Sequence, residues 1–220
     1  MTHLPRSREG VRAGILGFLA VLSALSVGLN CILAWKLYSP RVIARLAQLR
    51  KPGPIVAHDH VLGRADAPVS IIEYADFQCP YCAKLHETLL VLTREGRVRW
   101  AFREFPLPFH PDAEHEAEAA ECAGLQGRFW PFANSLFAHP SKMHSVRFLK
   151  KVAGEMGLNM GSFVRCVEDH EERGDVLGQR QGGEDLWVTG TPTFFINGER
   201  YVGALPLEKI RALVAESRGI

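Results

Sequence analysis

The 220-residue chain has no internal repeat and no low-complexity tract, which excludes solenoid and array architectures. It has five cysteines, and two of them, Cys79 and Cys82, lie close together. Structural zinc wants four ligands, usually with a second Cys or His pair at close spacing. Cys122 and Cys166 are isolated and His86 alone completes no set, so a zinc knuckle is disfavoured. Beyond residue 51 no Arg/Lys stripe interleaves with aromatics, which argues against a nucleic-acid partner. Charged residues make up only 23% and hydrophobic ones 47%, too apolar for a disordered chain and ordinary for a globular one.

The near-balance of charge hides a split. Residues 1–51 hold eight Lys/Arg and one acid, whereas the remainder holds 18 basic and 23 acidic residues. A basic terminal segment before an acidic domain points to a membrane surface. The only long apolar run, Ala13 to Trp35, carries no charge. Its 23 residues, at about 1.5 Å each, suffice for a hydrocarbon core of about 30 Å. A cleaved signal peptide has a shorter apolar core, and the weak Ala24-Leu25-Ser26 site falls inside the run. The expectation is an uncleaved signal anchor over 13–35, with 1–12 in the cytoplasm and a linker over 36–60. Lys36, Arg41, Arg45, Arg50 and Lys51 follow the run, against Arg6, Arg8 and Arg12 before it. Charge count alone therefore favours the opposite orientation; the cysteine chemistry favours an extracytoplasmic domain.

That chemistry centres on Cys79-Pro80-Tyr81-Cys82. Strand-like Val69 to Tyr74 runs into it, and helix-like Ala83 to Arg94 follows. A cysteine at a helix N-terminus meets unpaired N–H groups and the positive end of the helix dipole, which favour the nucleophilic thiolate. A second cysteine one turn on can close a disulfide with it. Pro80 donates no N–H, whereas the Tyr81 N–H can point at the Cys79 sulfur, so these two residues tune the thiolate. Arg97 to Phe105 alternates as a strand. Asp112–Leu125, Phe129–Phe137, Ser145–Met156 and, with breaks, Met160–Leu186 read as helices. Gly190 to Ile196 starts a third strand, Asn197-Gly198 a hairpin, Arg200 to Val202 a fourth strand and Leu207 to Ser217 a closing helix.

Three motifs carry a family resemblance over about 61–217: Phe77-Gln78-Cys79-Pro80-Tyr81-Cys82, Gln126-Gly127-Arg128-Phe129-Trp130, and Gly190-Thr191-Pro192-Thr193-Phe194-Phe195-Ile196-Asn197-Gly198. The domain resembles the DsbA-type thiol–disulfide oxidoreductases. The resemblance implies an α/β thioredoxin fold, its β-α-β and β-β-α halves separated by a helical insertion at about 110–186, within a domain over 61–220. It implies Cys79 as the exposed nucleophile, Cys82 as the buried resolving thiol and Pro192 as a cis-proline facing them. Thr191 backbone groups would pair with an extended substrate. Glu73, six residues before Cys79, matches a buried acid that exchanges a proton with the resolving thiol; the alternative is a strand residue in some other polar contact. No cofactor is implied beyond the Cys79–Cys82 disulfide. The expected partners are reduced or unfolded proteins and a membrane redox protein, met in a periplasm-like compartment.

Relatives of this type can carry a second, structural disulfide, which here would join Cys122 to Cys166; two inert buried thiols are the alternative. Cys31 is expected to pack within the apolar run. His110 and His115 with Glu114, Glu116, Glu118 and Glu121 read as a solvated helix face in preference to a metal cluster. Phe129, Trp130, Phe132 and Phe137 read as core. Rival functions are a reductase or isomerase of the same fold, and a non-catalytic tethered domain that holds a metal or a partner.

Overall fold

A computed structural model describes residues 50–139 and 145–217, together with Gly28, Asn30, Cys31, Trp35, Lys36, Ser39 and Val42. The expected 13–35 span and the segment after it lie mostly outside the described residues. Among the described residues no helix is long and apolar enough to cross a membrane. The chain divides into a unit over Met1–Leu49, in which Cys31 is an exposed free thiol, and a unit over Arg50–Ile220.

The second unit is built on a five-stranded sheet in the order β1-β3-β2-β4-β5. Its strands are β1 (His60–Leu62), β2 (Val69–Ala75), β3 (Val98–Glu104), β4 (Thr193–Ile196) and β5 (Glu199–Val202). Only β2 and β3 run parallel, joined by α1 (Pro80–Arg94). Among the described residues, five helices separate β3 from β4: α2 (Ala113–Gly124), α3 (Phe129–Phe137), α4 (Val146–Glu155), α5 (Met160–Glu168) and α6 (Arg173–Asp185). Helix α7 (Leu207–Glu216) closes the fold. The β-α-β, helical block, β-β-α order is therefore the expected one.

Period-two alternation sorts the strands between two cores. Val69, Ile71 and Ala75 of β2 and Val98, Trp100 and Phe102 of β3 face one core. They meet Leu85, Leu89 and Leu92 of α1, Ile210 and Val214 of α7, and the aromatic side chains of α3. Phe129, Phe132 and Phe137 are buried there, as the helical spacing predicts. Each such large side chain contributes about 1.5–3 kcal/mol when fully buried. The opposite face packs Ile72, Tyr74, Ala101 and Phe195 with Phe105, Leu107 and Val188. Helix α6 lies close against it at Gly183, where a Cβ would come within 2.9 Å of Phe105 and Tyr74 ring atoms.

Three features differ from the sequence expectation. The three-residue β1, unforeseen in the sequence, pairs antiparallel with β3 across the expected boundary between linker and domain at residues 60 and 61. The stretch from Arg50 belongs to the folded unit, although Lys51-Pro52-Gly53-Pro54 breaks any helix there. Arg103 donates to both Asp59 carboxylate oxygens at 2.8 and 2.9 Å and to the Pro54 carbonyl at 3.1 Å, and Arg50 donates to the Asp185 carbonyl. The acids of α2 are not a solvated face. Glu116, Glu118 and Glu121 are buried, because α2 is enclosed on several sides and each of these acids meets a polar group from elsewhere. Gln78 Nε2 donates to Glu116, His170 bonds Glu118 and His60 bonds Glu121.

Candidate active site

Helix α1 begins at Pro80, whose missing N–H is no loss at the first helical position. Cys79 is therefore the N-cap, with extended backbone (φ −78°, ψ 116°) and its sulfur at the open helix end. Cys82 sits one turn in and is fully buried, and Cys79, expected as the exposed thiol, is itself buried at 4% exposure, covered by the Thr191–Pro192 segment that its sulfur contacts; Tyr81 between them is 57% exposed. Both cysteines are free thiols. The Thr191–Pro192 bond is cis, and the Thr191 carbonyl accepts from Cys79 Sγ at 3.3 Å. The segment entering β4 thus faces the first cysteine across the sheet end. Tyr81 and Pro80 leave the site open on one side, and Thr191 and Pro192 wall the other.

The environments of the two sulfurs pull them apart. Hydrogen bonding from the Cys82 thiol lowers the Cys79 pKa to about 6. Burial opposes this, while the nearby Thr191 side chain and the Cys82 and Tyr81 backbone N–H groups reinforce it. Burial pushes Cys82 well above an ordinary thiol, and the Cys79 and Glu73 charges push the same way. At neutral pH the pair is a thiolate beside a thiol.

Glu73 lies on the α1 face of β2, fully buried, and neither carboxylate oxygen has a hydrogen-bond partner. Burial raises its pKa to about 8; the Trp100 indole offsets part of this and the Cys79 charge adds to it. It is a carboxylic acid at neutral pH, electrostatically coupled to both cysteines. This environment fits the proton-exchange reading better than a strand acid held in some other polar contact.

Cys122 of α2 and Cys166 of α5 form a disulfide with Cα atoms 6.0 Å apart. The pair bolts two inserted helices together inside the core. No group of three or more His, Cys, Asp or Glu among the described residues could hold a metal ion.

Several residues that sequence reasoning passes over shape the site. Asp76 is buried just before it and accepts from Gln78 N at 2.7 Å, from Leu107 N at 2.7 Å and lies 2.9 Å from His110 Nδ1. It ties the cysteine loop to the segment that follows β3. An Asp two residues before a turn N–H is the sequence signal of such an Asx turn. His86, one turn after Cys82, is buried with Nε2 2.7 Å from Asn134 Oδ1, and packs against Trp100 and Phe137. Burial lowers its pKa to about 4, so it is neutral and locks α1 to α3. Glu104 is fully buried on β3 with both oxygens unpartnered. Its signal is parity, because it continues Val98, Trp100 and Phe102 on the α1 face.

Comparison with known proteins agrees with this geometry. A solved structure of the thiol-disulfide exchange protein alpha-DsbA2 of Wolbachia pipientis superposes with TM-score 0.66 at 20% identity, over 73% of this chain and 87% of that one. BdbD of Bacillus subtilis, in its oxidised form, gives 0.68 at 18%, over 77% and 98%. A thioredoxin-like oxidoreductase of Silicibacter pomeroyi gives 0.68 at 24%, over 75% and 95%. Among curated sequences, the Na(+)/H(+) antiporter NhaA 3 of Salinispora tropica is 37% identical over 71% of this chain. NhaA 1 of Mycolicibacterium gilvum is 32% identical over 96% of it. This chain spans only 24% and 34% of those two relatives, so it corresponds to one segment of each. The thioredoxin family model matches residues 56–216, most of the folded unit, from the strapped N-terminal stretch to the end of α7. On that match and on the sheet, cysteine pair and cis-proline it encloses, the chain belongs to the thioredoxin family and has the DsbA-like fold with a helical insertion.

Proposed function

We propose that this protein is a membrane-anchored thiol–disulfide oxidoreductase that forms disulfides in client proteins outside the cytoplasm. The observation that carries the reading is the placement of the two thiols: Cys79 caps α1 with its sulfur 3.3 Å from the Thr191 carbonyl of the cis-Pro192 segment, and Cys82 is buried one turn in, which lowers the first pKa to about 6 and raises the second. A client thiolate attacks Cys79 Sγ of the oxidised enzyme. The S–S bond breaks, its electron pair goes to Cys82, and Cys79 is left in a mixed disulfide. Glu73, protonated at neutral pH, gives its proton to the departing Cys82 sulfur. A second client thiolate then attacks the client sulfur and expels Cys79, which leaves readily as a stabilised thiolate. The client is oxidised by two electrons and the enzyme holds them as a dithiol. A membrane redox protein would reoxidise it.

Direction follows from the same asymmetry. A stable Cys79 thiolate stabilises the reduced enzyme and makes its disulfide the stronger oxidant. The open side at Tyr81 gives clients access, and an extended client segment would pair with backbone beside Pro192. Anchoring rests on the apolar 13–35 run. It gains support from the mycobacterial match, which at 96% of the chain takes in that run and aligns it with a protein named as an antiporter. A reporter fused to the C-terminus and sensitive to its compartment tests the topology.

The deciding experiment is the reduction potential of the Cys79–Cys82 couple, measured beside oxidative refolding of a reduced client. A potential near the ~−120 mV of a strong oxidase, with refolding lost in Cys79→Ser, is the expected result. A potential near ~−270 mV makes the protein a reductase. Full refolding activity in Cys79→Ser sinks the mechanism.

A further inference from the structure

Two glutamates lie beneath the cysteines on one face of the sheet. β2 and β3 are parallel, with Glu73 opposite Phe102 and Ala75 opposite Glu104. Glu73 and Glu104 are therefore diagonal neighbours on one face of the sheet, close enough for the Glu73 charge to act on Glu104. Both are fully buried, and all four carboxyl oxygens lack hydrogen-bond partners. The Trp100 indole N–H is buried on the same face and eases Glu73 ionisation without making a well-formed hydrogen bond. Unpaired buried charge is costly, and two neighbouring carboxylates cannot both bear it.

The groups around Glu104 add no cation. The charges acting on it are those of Glu121 and Glu116 from α2, Asp76 from the cysteine loop and Glu73 from β2, and all of them disfavour ionisation. Glu121 is itself bonded by His60 and by Gln179 Nε2, and Asp76 lies against His110. On the helix side Glu73 faces Cys79 and Cys82. Gln179 reaches Glu104 only through its backbone, accepting from Glu104 N at 2.7 Å.

We propose that Glu73 and Glu104 act as one two-carboxyl site, in which Glu104 keeps its proton as a positioning residue and so lets Glu73 part with its own. The proposal rests on the exchange reading above. With both acids protonated the site is neutral. When the Cys79–Cys82 bond breaks, Glu73 protonates Cys82, and the remaining proton, on Glu104, is shared with the new Glu73 carboxylate. One proton from solvent restores the resting state. Glu104 acts on the sulfurs only through Glu73, by supporting its carboxylate after proton transfer alongside the Trp100 indole, which already eases its ionisation.

The test follows the reaction of the oxidised full-length protein with glutathione across pH, with rates normalised to glutathione thiolate. The wild-type rate falls as Glu73 ionises, and Glu73→Gln loses that midpoint. Glu104→Leu removes the shared proton and moves the midpoint up by about one pH unit or more. Glu104→Gln, which still donates an N–H to Glu73, keeps it within about half a unit. An unmoved midpoint in Glu104→Leu overturns the proposal. If that variant does not fold, a carbon-13 carboxyl titration of Glu73 decides. Two coupled steps in wild type and one in Glu104→Gln support the shared site, and identical curves overturn it. Glutathione reaction without any Glu73 midpoint leaves thiol–disulfide exchange standing and defeats both the Glu73 proton transfer and this proposal. No reaction of the wild type with glutathione defeats thiol–disulfide exchange as well.

Discussion

Cys79 and Cys82 lie three residues apart at the start of one helix; Cys122 and Cys166 lie 44 apart and join two. The first pair is a dithiol with one sulfur at an open helix end. The second is a closed disulfide between two helices, and since all four residues are buried, burial is not what separates the pairs. Both pairs sit in the same fold, so cysteine reactivity here is set by a few ångströms of surroundings. A helix N-terminus and the wall of Thr191 and Pro192 make a nucleophile, whereas packing between α2 and α5 makes a bolt.

The sharpest way to break this contrast is to exchange the roles by substitution. Cys79→Ala should reduce thiol exchange to the uncatalysed background, while the double variant Cys122→Ala/Cys166→Ala keeps a near-wild-type rate constant in a glutathione assay. The same double variant should lose about 2–4 kcal/mol of stability in urea unfolding of the otherwise oxidised protein, because the bond closes a long loop. Removal of the Cys79–Cys82 bond by reduction should behave differently. Cys79 ionises at lower pH in the folded state than its ordinary value of 9.0. The reduced fold therefore holds its full stabilisation from this group above about pH 9 and loses it as pH falls through about 6. Accordingly, the reduction potential should fall by about 30 mV per pH unit above about pH 6, and by about 59 mV per unit below it. A single slope throughout would mean that the two sulfurs are not split. The smallest effect belongs to the structural pair. Asn159 caps the helix that carries Cys166, accepting from Ser162 N at 3.0 Å. Asn159→Ala should cost about 1 kcal/mol in urea unfolding and leave the exchange rate untouched.

The reactive pair was far more legible in the sequence than its support. Cys79, Cys82 and Pro192 are local motifs, and α3 falls at Phe129–Phe137 as its apolar spacing predicts. Helix α1 begins three residues earlier than apolar spacing suggests, because Pro80 serves as its first residue. Strand β1 was illegible, since three residues carry no periodicity and its pairing partner lies about forty positions away. The run Ala113 to Glu121 reads as solvated for the same reason. The groups that satisfy its acids, His60, Gln78 and His170, come from three other parts of the chain. Glu104 ends an otherwise ordinary strand, and only its two-residue phase with Trp100 and Phe102 sets it apart.

The short edges of the sheet carry one more consequence. β1 has three residues and β5 four, and β5 bears Glu199 and Arg200. An unfolded client can add itself as a strand wherever a sheet presents a long unpaired border. Borders this brief and charged give such a chain little to grip. Under the proposed function, each client could then leave after the thiols have met, without seeding an aggregate on the flank of the sheet.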